Sequence, residues 1–203
     1  SIVIAGSATF DTKFPTTLAL ILILIGFSLY FLNLGLLFYR YIRILNRDLT
    51  ESWTNTNCII HGALSITGVS FTFSYSNFTG MIQFIWVITF ILFLIVECIE
   101  ILRCVQRIKK LRWRQAIFIY SPTQWARVFT FGMFLFFTKR IYTDHYTLID
   151  FLQKYIILFL PTMIIALVLL EVILLSVQLY KTIARDRHPI HLPVHEKSRN
   201  FPH

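Results

Sequence analysis

Charge is scarce in this chain: only 14% of its 203 residues are Asp, Glu, Lys or Arg, against about a quarter in soluble domains. With 56% hydrophobic residues and a mean hydropathy of +0.67, that scarcity excludes an ordinary soluble globular domain. Cysteine is scarce as well. Cys58, Cys98 and Cys104 lie in or beside apolar runs and form neither a CxxC pair nor a zinc spacing, so they read as free thiols. There is no G-x-S-x-G, H-E-x-x-H, P-loop or dinucleotide fingerprint, and no His-rich cluster of an intramembrane di-iron enzyme. An enzyme is therefore the less favoured class, and no cofactor or metal is expected. No span carries arginines at every third position, which argues against a voltage sensor. No period of 20–50 residues and no Gly/Ser linker appears, so one domain is expected.

Long apolar runs are what the chain does have. A bilayer core about 30 Å thick needs roughly 20 apolar residues per helical crossing. Phe14 to Tyr39 is 26 residues without a charge, and it ends on Arg40, Arg43 and Arg47. From Ser52 to Val96 another 45 residues carry no formal charge, too many for one helix and enough for two. Ser, Asn and Gly in SYSNFTG, 74–80, place a turn there and predict a hairpin of helices. The first of these helices is only weakly apolar but carries Gly62, Ala63, Ser65, Gly68 and Ser70, which allow close backbone approach and place it inside a bundle. Gln115 to Thr138 contains one charge, Arg127, together with Pro122; Tyr155 to Tyr180 contains one charge, Glu171, and an internal Pro161.

The fold class expected is thus an all-α integral membrane protein, a bundle of about five transmembrane helices, or four if 115–138 lies on the surface. The spans fall near 16–39, 56–75, 81–102, 116–138 and 155–180. A basic tail containing His and Pro occupies 181–203.

The net charge of +9 would raise the question of nucleic acid, but the position of the cations decides against it. Fourteen of the 19 fall in three clusters directly after apolar runs, the pattern of juxtamembrane loops under the positive-inside rule. The densest holds six cations in twelve residues: Arg103, Arg107, Lys109, Lys110, Arg112 and Arg114. With five spans all three clusters share one side, giving an N-terminus outside and a C-terminus inside. The secretory pathway, the plasma membrane and the mitochondrial inner membrane fit that orientation equally. The same six cations are candidate contacts for anionic lipids.

Arg127 and Glu171 are the sharpest candidate residues, because a charge at membrane depth costs about 2.5–3.5 kcal/mol on insertion scales and is usually paired or lines water. Counted from the inner ends of their helices, they lie at about eleven and about nine residues, so at 1.5 Å per residue their heights agree within a few ångströms. An intramembrane ion pair or pathway between neighbouring helices is the expectation, with helix registration the simpler role. Glu97 and Glu100, at i and i+3 on one face, form an inner-face acidic pair that Arg103 or Arg107 would neutralise. His188, His191 and His195 have helical spacing, but Pro189 and Pro193 interrupt the helix that zinc binding would need. Asn77-Phe78-Thr79 is an N-glycosylation sequon in the outer turn, close to the membrane for the transferase.

Small size, short loops and missing catalytic motifs favour a non-catalytic multi-span subunit of a larger membrane complex, in contact with the bilayer and other subunits. The alternative is an oligomeric ion channel or transporter working through Glu171 and Arg127.

Overall fold

The protein was analysed as a computed structural model, which describes residues 15–43, 53, 55–75, 77–111, 120–143 and 147–187. These residues form an all-helical membrane bundle without strands. The helices are α1 (Thr16–Arg43), α2 (Ile59–Ser74), α3 (Thr79–Leu111), α4 (Gln124–Ile141) and α5 (Leu148–Arg187), with a 3₁₀ turn, Asn55–Cys58, leading into α2. Arg47, Arg112, Arg114 and the tail histidines lie outside the described residues.

Length divides the helices into two groups. α1, α3 and α5 have 28, 33 and 40 residues, and all three contain windows long and apolar enough to cross a membrane. At 1.5 Å per residue α3 extends about 50 Å, more than the hydrocarbon core, so its basic end projects past the apolar stretch. α2 and α4 have only 16 and 18 residues, about 24 and 27 Å, and are the inner helices. The expected span 116–138 is realised as a helix that begins only at Gln124, after Ser121-Pro122-Thr123. The carbonyls of Ser121 and Pro122 accept from the N–H groups of Gln124 and Trp125 at 3.0 and 3.3 Å, closing the turn that starts the helix.

α2 touches α1, α3 and α4; α4 touches α2, α3 and α5; and α1 and α5 each touch a single helix. The inner pair is held by small residues. A Cβ added at Gly62 would lie 2.8 Å from Thr130 Cβ, and one at Gly68 would lie 2.6 Å from Phe137 Cε1. Hydrocarbon gives helices little hydrophobic reason to associate, so this closeness, which maximises dispersion contact, holds α2 against α4. Of the small residues expected inside the bundle, Gly62, Ser65, Gly68 and Ser70 are buried and Ala63 is half-buried. The hydroxyls of Ser65 and Ser70 donate to the carbonyls of His61 and Ile66, at 2.8 and 2.9 Å, so both are satisfied within α2.

The middle of the bundle is filled with rings. Trp86 stacks on Phe90 with centroids 5.4 Å apart, Phe93 stacks on Phe134 at 5.0 Å, and Phe131 meets Phe93 edge-on at 5.2 Å. Trp86 Nε1 donates to Thr138 Oγ1 at 3.0 Å, so the one polar atom of the indole is satisfied in the core.

Pairings along the helices fix their directions. Gly62 with Thr130 and Gly68 with Phe137 make α2 and α4 parallel, whereas Trp86 with Thr138 and Glu97 with Arg127 make α3 antiparallel to α4. Asn57 Nδ2 donates to Tyr41 Oη at 2.8 Å, joining the end of α1 to the start of α2. Thr143 Oγ1 donates to Asp150 Oδ1 at 3.4 Å, joining the end of α4 to the start of α5. The helices therefore alternate, and the basic ends of α1 (Arg40, Arg43), α3 (Lys109, Lys110) and α5 share one end of the bundle.

A charged cavity at the basic end

Where α3, α4 and α5 approach that end, they border an open-sided cavity of about 180 Å³. Arg103, Arg107 and Glu100 come to it from α3, Gln124 and Arg127 from α4, and Glu171 from α5. Leu167 and Leu170 complete the α5 wall. Arg127 and Glu171 thus face one cavity, as their matched depths suggested, but they do not pair. Arg127 binds Glu97 across the α3–α4 contact and also lies over the Phe131 ring, 5.5 Å from its centroid. Glu171 is met by the side-chain amide of Gln124, whose nitrogen is the atom that can donate to the carboxylate.

The correction has a simple geometric cause. Depth ranks residues along the bundle axis but not around it, and Arg127 points to the α3 side of α4. Gln124 was missed although it precedes Arg127 by three residues, a spacing that puts both near one helix face.

The inner-face carboxylates are separately compensated. Glu100 accepts from Trp53 Nε1 at 2.7 Å and forms an ion pair with Arg103 at 3.5 Å. The Arg103 partner follows from the i, i+3 spacing. The Trp53 partner, 47 positions away in sequence, had no local signal. Glu97 goes to Arg127 instead of Arg103 or Arg107, which leaves Arg107 on the cavity wall. Lys109 and Lys110 are exposed at the end of α3, where cations also complement the helix dipole.

His61 is fully buried one turn above, edge-on to Phe93 with centroids 5.2 Å apart, and neither ring nitrogen has a hydrogen-bond partner. Among the described residues no group of three His, Cys, Asp or Glu side chains converges as a metal site. Cys58 is buried, while Cys98 and Cys104 are exposed free thiols. Asn77 is exposed in the α2–α3 turn, at the end opposite the cavity.

No protein-family model, curated protein or solved structure matches this chain.

Proposed function

We propose that this chain is a non-catalytic, multi-span subunit of a larger membrane assembly, crossing the bilayer five times with its basic end inside. The observation that carries the reading is the filled centre of the bundle. Stacked Trp86, Phe90, Phe93 and Phe134 make the α3–α4 contact an apolar layer between the Glu97–Arg127 pair and Thr138, the packing of a structural bundle. α1 and α5, each held by one neighbour, turn rows of Leu, Ile and Phe outward to lipid or to other subunits. The basic clusters suit anionic lipid head groups at the inner leaflet, each well-placed cation contributing about 1 kcal/mol.

Native mass spectrometry of the tagged protein, purified in mild detergent from its own source, tests this directly. Foreign chains retained in fixed stoichiometry are the expected result. A lone chain or a clean homo-oligomer would overturn the subunit reading.

A second reading, an oligomeric channel or transporter, is favoured by Glu171. Its helix touches only α4, so in an oligomer α5 is free to meet a second copy beside the cavity. Purified protein in liposomes would then pass ions, and Glu171→Gln would change the flux while leaving the oligomer intact.

A further inference from the structure

The charges around the inner cavity do not cancel pairwise. Glu97 is matched by Arg127 and Glu100 by Arg103, whereas Arg107 and Glu171 have no ion-pair partner among the described residues. Glu171 is buried and receives only a neutral amide, which bonds to the carboxylate without balancing its charge. The cavity therefore presents one uncompensated cation on α3 and one uncompensated anion on α5. The backbones of these two helices do not come within 8 Å of one another among the described residues. On the cavity side of α5 the apolar lining is Leu167 and Leu170, which flank Glu171.

We propose that this cavity is a binding site for the head group of a zwitterionic phospholipid, with the phosphate at Arg107 and the amine at Glu171. A guanidinium pairs with phosphate through two parallel N–H donors, and a carboxylate accepts from an ammonium. A cavity of about 180 Å³ has room for more than a single water, which suits a phosphate bearing a short amine arm. The open side of the cavity lets the head group enter from the membrane, past Leu167 and Leu170, and leaves the acyl chains in the bilayer. This site differs from the surface attraction of Lys109 and Lys110 for anionic lipid, because it requires both signs of charge in one ligand.

The test uses the whole chain, delipidated in detergent and offered equal amounts of dioleoyl phosphatidylethanolamine and dioleoyl phosphatidylglycerol, with bound lipid read by native mass spectrometry. Phosphatidylethanolamine is expected to be retained about tenfold more strongly, the scale of one charge-assisted contact. Arg107→Gln should weaken both lipids, Glu171→Gln should remove the preference for the amine, and exposed Lys109→Gln should leave the preference unchanged. Equal retention of the two lipids by the unaltered protein, or a preference that survives Glu171→Gln, would overturn the proposal. Should a variant not fold, N-acetylated phosphatidylethanolamine decides with the natural sequence: it keeps the phosphate, lacks the ammonium, and must lose the advantage. Free phosphoethanolamine displacing the lipid at equal concentration would make the ligand a soluble amine phosphate and refute the lipid assignment.

Discussion

Arg127 on α4 is bound to Glu97 on α3, and the pair closes the charged end of the bundle beneath the aromatic core. Each partner makes the other tolerable at that depth, since a lone charge there keeps its desolvation cost and loses its compensation. Removing one is therefore expected to be worse than removing both. In a thermal-unfolding cycle in detergent, Glu97→Met and Arg127→Met should each destabilise. The double variant should recover about 1–2 kcal/mol relative to their sum. Strict additivity would show that the pair contributes no coupling.

Gly68 and Gly26 look alike in sequence but not in space. At Gly68 an added Cβ meets the Phe137 ring at 2.6 Å, whereas at Gly26 nothing lies within 4 Å. Gly68→Ala must push a fully buried ring out of its place, an overpacking cost of about 1–3 kcal/mol. Gly26→Ala should be neutral or stabilise by up to about 1 kcal/mol through helix propensity. Unfolding temperatures of the two variants, measured side by side, check the contrast; a loss at both positions would deny the α2–α4 approach its special role.

Thr138 has two duties in the core. Its hydroxyl donates to the Phe134 carbonyl at 2.8 Å and accepts from Trp86 Nε1 at 3.0 Å. Thr138→Val keeps the shape but leaves the indole N–H buried without an acceptor, a loss of about 1 kcal/mol. Thr138→Ser should restore most of that. The near-ultraviolet circular dichroism of the tryptophans gives an independent reading, since the Val variant should loosen Trp86 and the Ser variant should not.

The elements legible in the sequence are those that a single stretch specifies. The charge-free runs gave α1, α3 and α5, the turn residues of 74–80 gave the α2–α3 hairpin, and the small residues of α2 gave its burial. Boundaries were read less well, because helices continue past the apolar segment wherever their ends are satisfied. α5 starts at Leu148 instead of 155 because Thr147 and Asp150 cap it reciprocally: Thr147 N–H donates to Asp150 Oδ2 at 3.1 Å and Asp150 N–H to Thr147 Oγ1 at 3.2 Å. That T-x-x-D signal was present in the sequence. The Glu97 partner of Arg127 and the Trp53 partner of Glu100 were not, since they depend on rotation about helix axes and on the return of Trp53 to the side of α3. Charge and depth select which residues form a site, and only packing decides how they pair.

Whether α4 crosses the membrane is decided by where Lys181 lies. α4 is only 18 residues long and carries Arg127 within it and Lys139 and Arg140 at its end, so by composition alone it resembles a surface helix. Its position argues otherwise: Thr130, Phe131, Phe134, Phe137 and Thr138 are buried against α2 and α3, and it runs parallel to α2 along the same depth. A helix lying on the interface would have to give up those contacts. Single cysteines introduced at Arg43, Lys109 and Lys181, in a chain with its own cysteines replaced by serine or alanine, should all react with a membrane-impermeant maleimide from one side of sealed vesicles. A cysteine at exposed Asn77 should react from the other. If the cysteine at position 181 is labelled together with that at 77, α4 does not cross, and the grouping of the three basic ends on the inner side of the membrane fails with it.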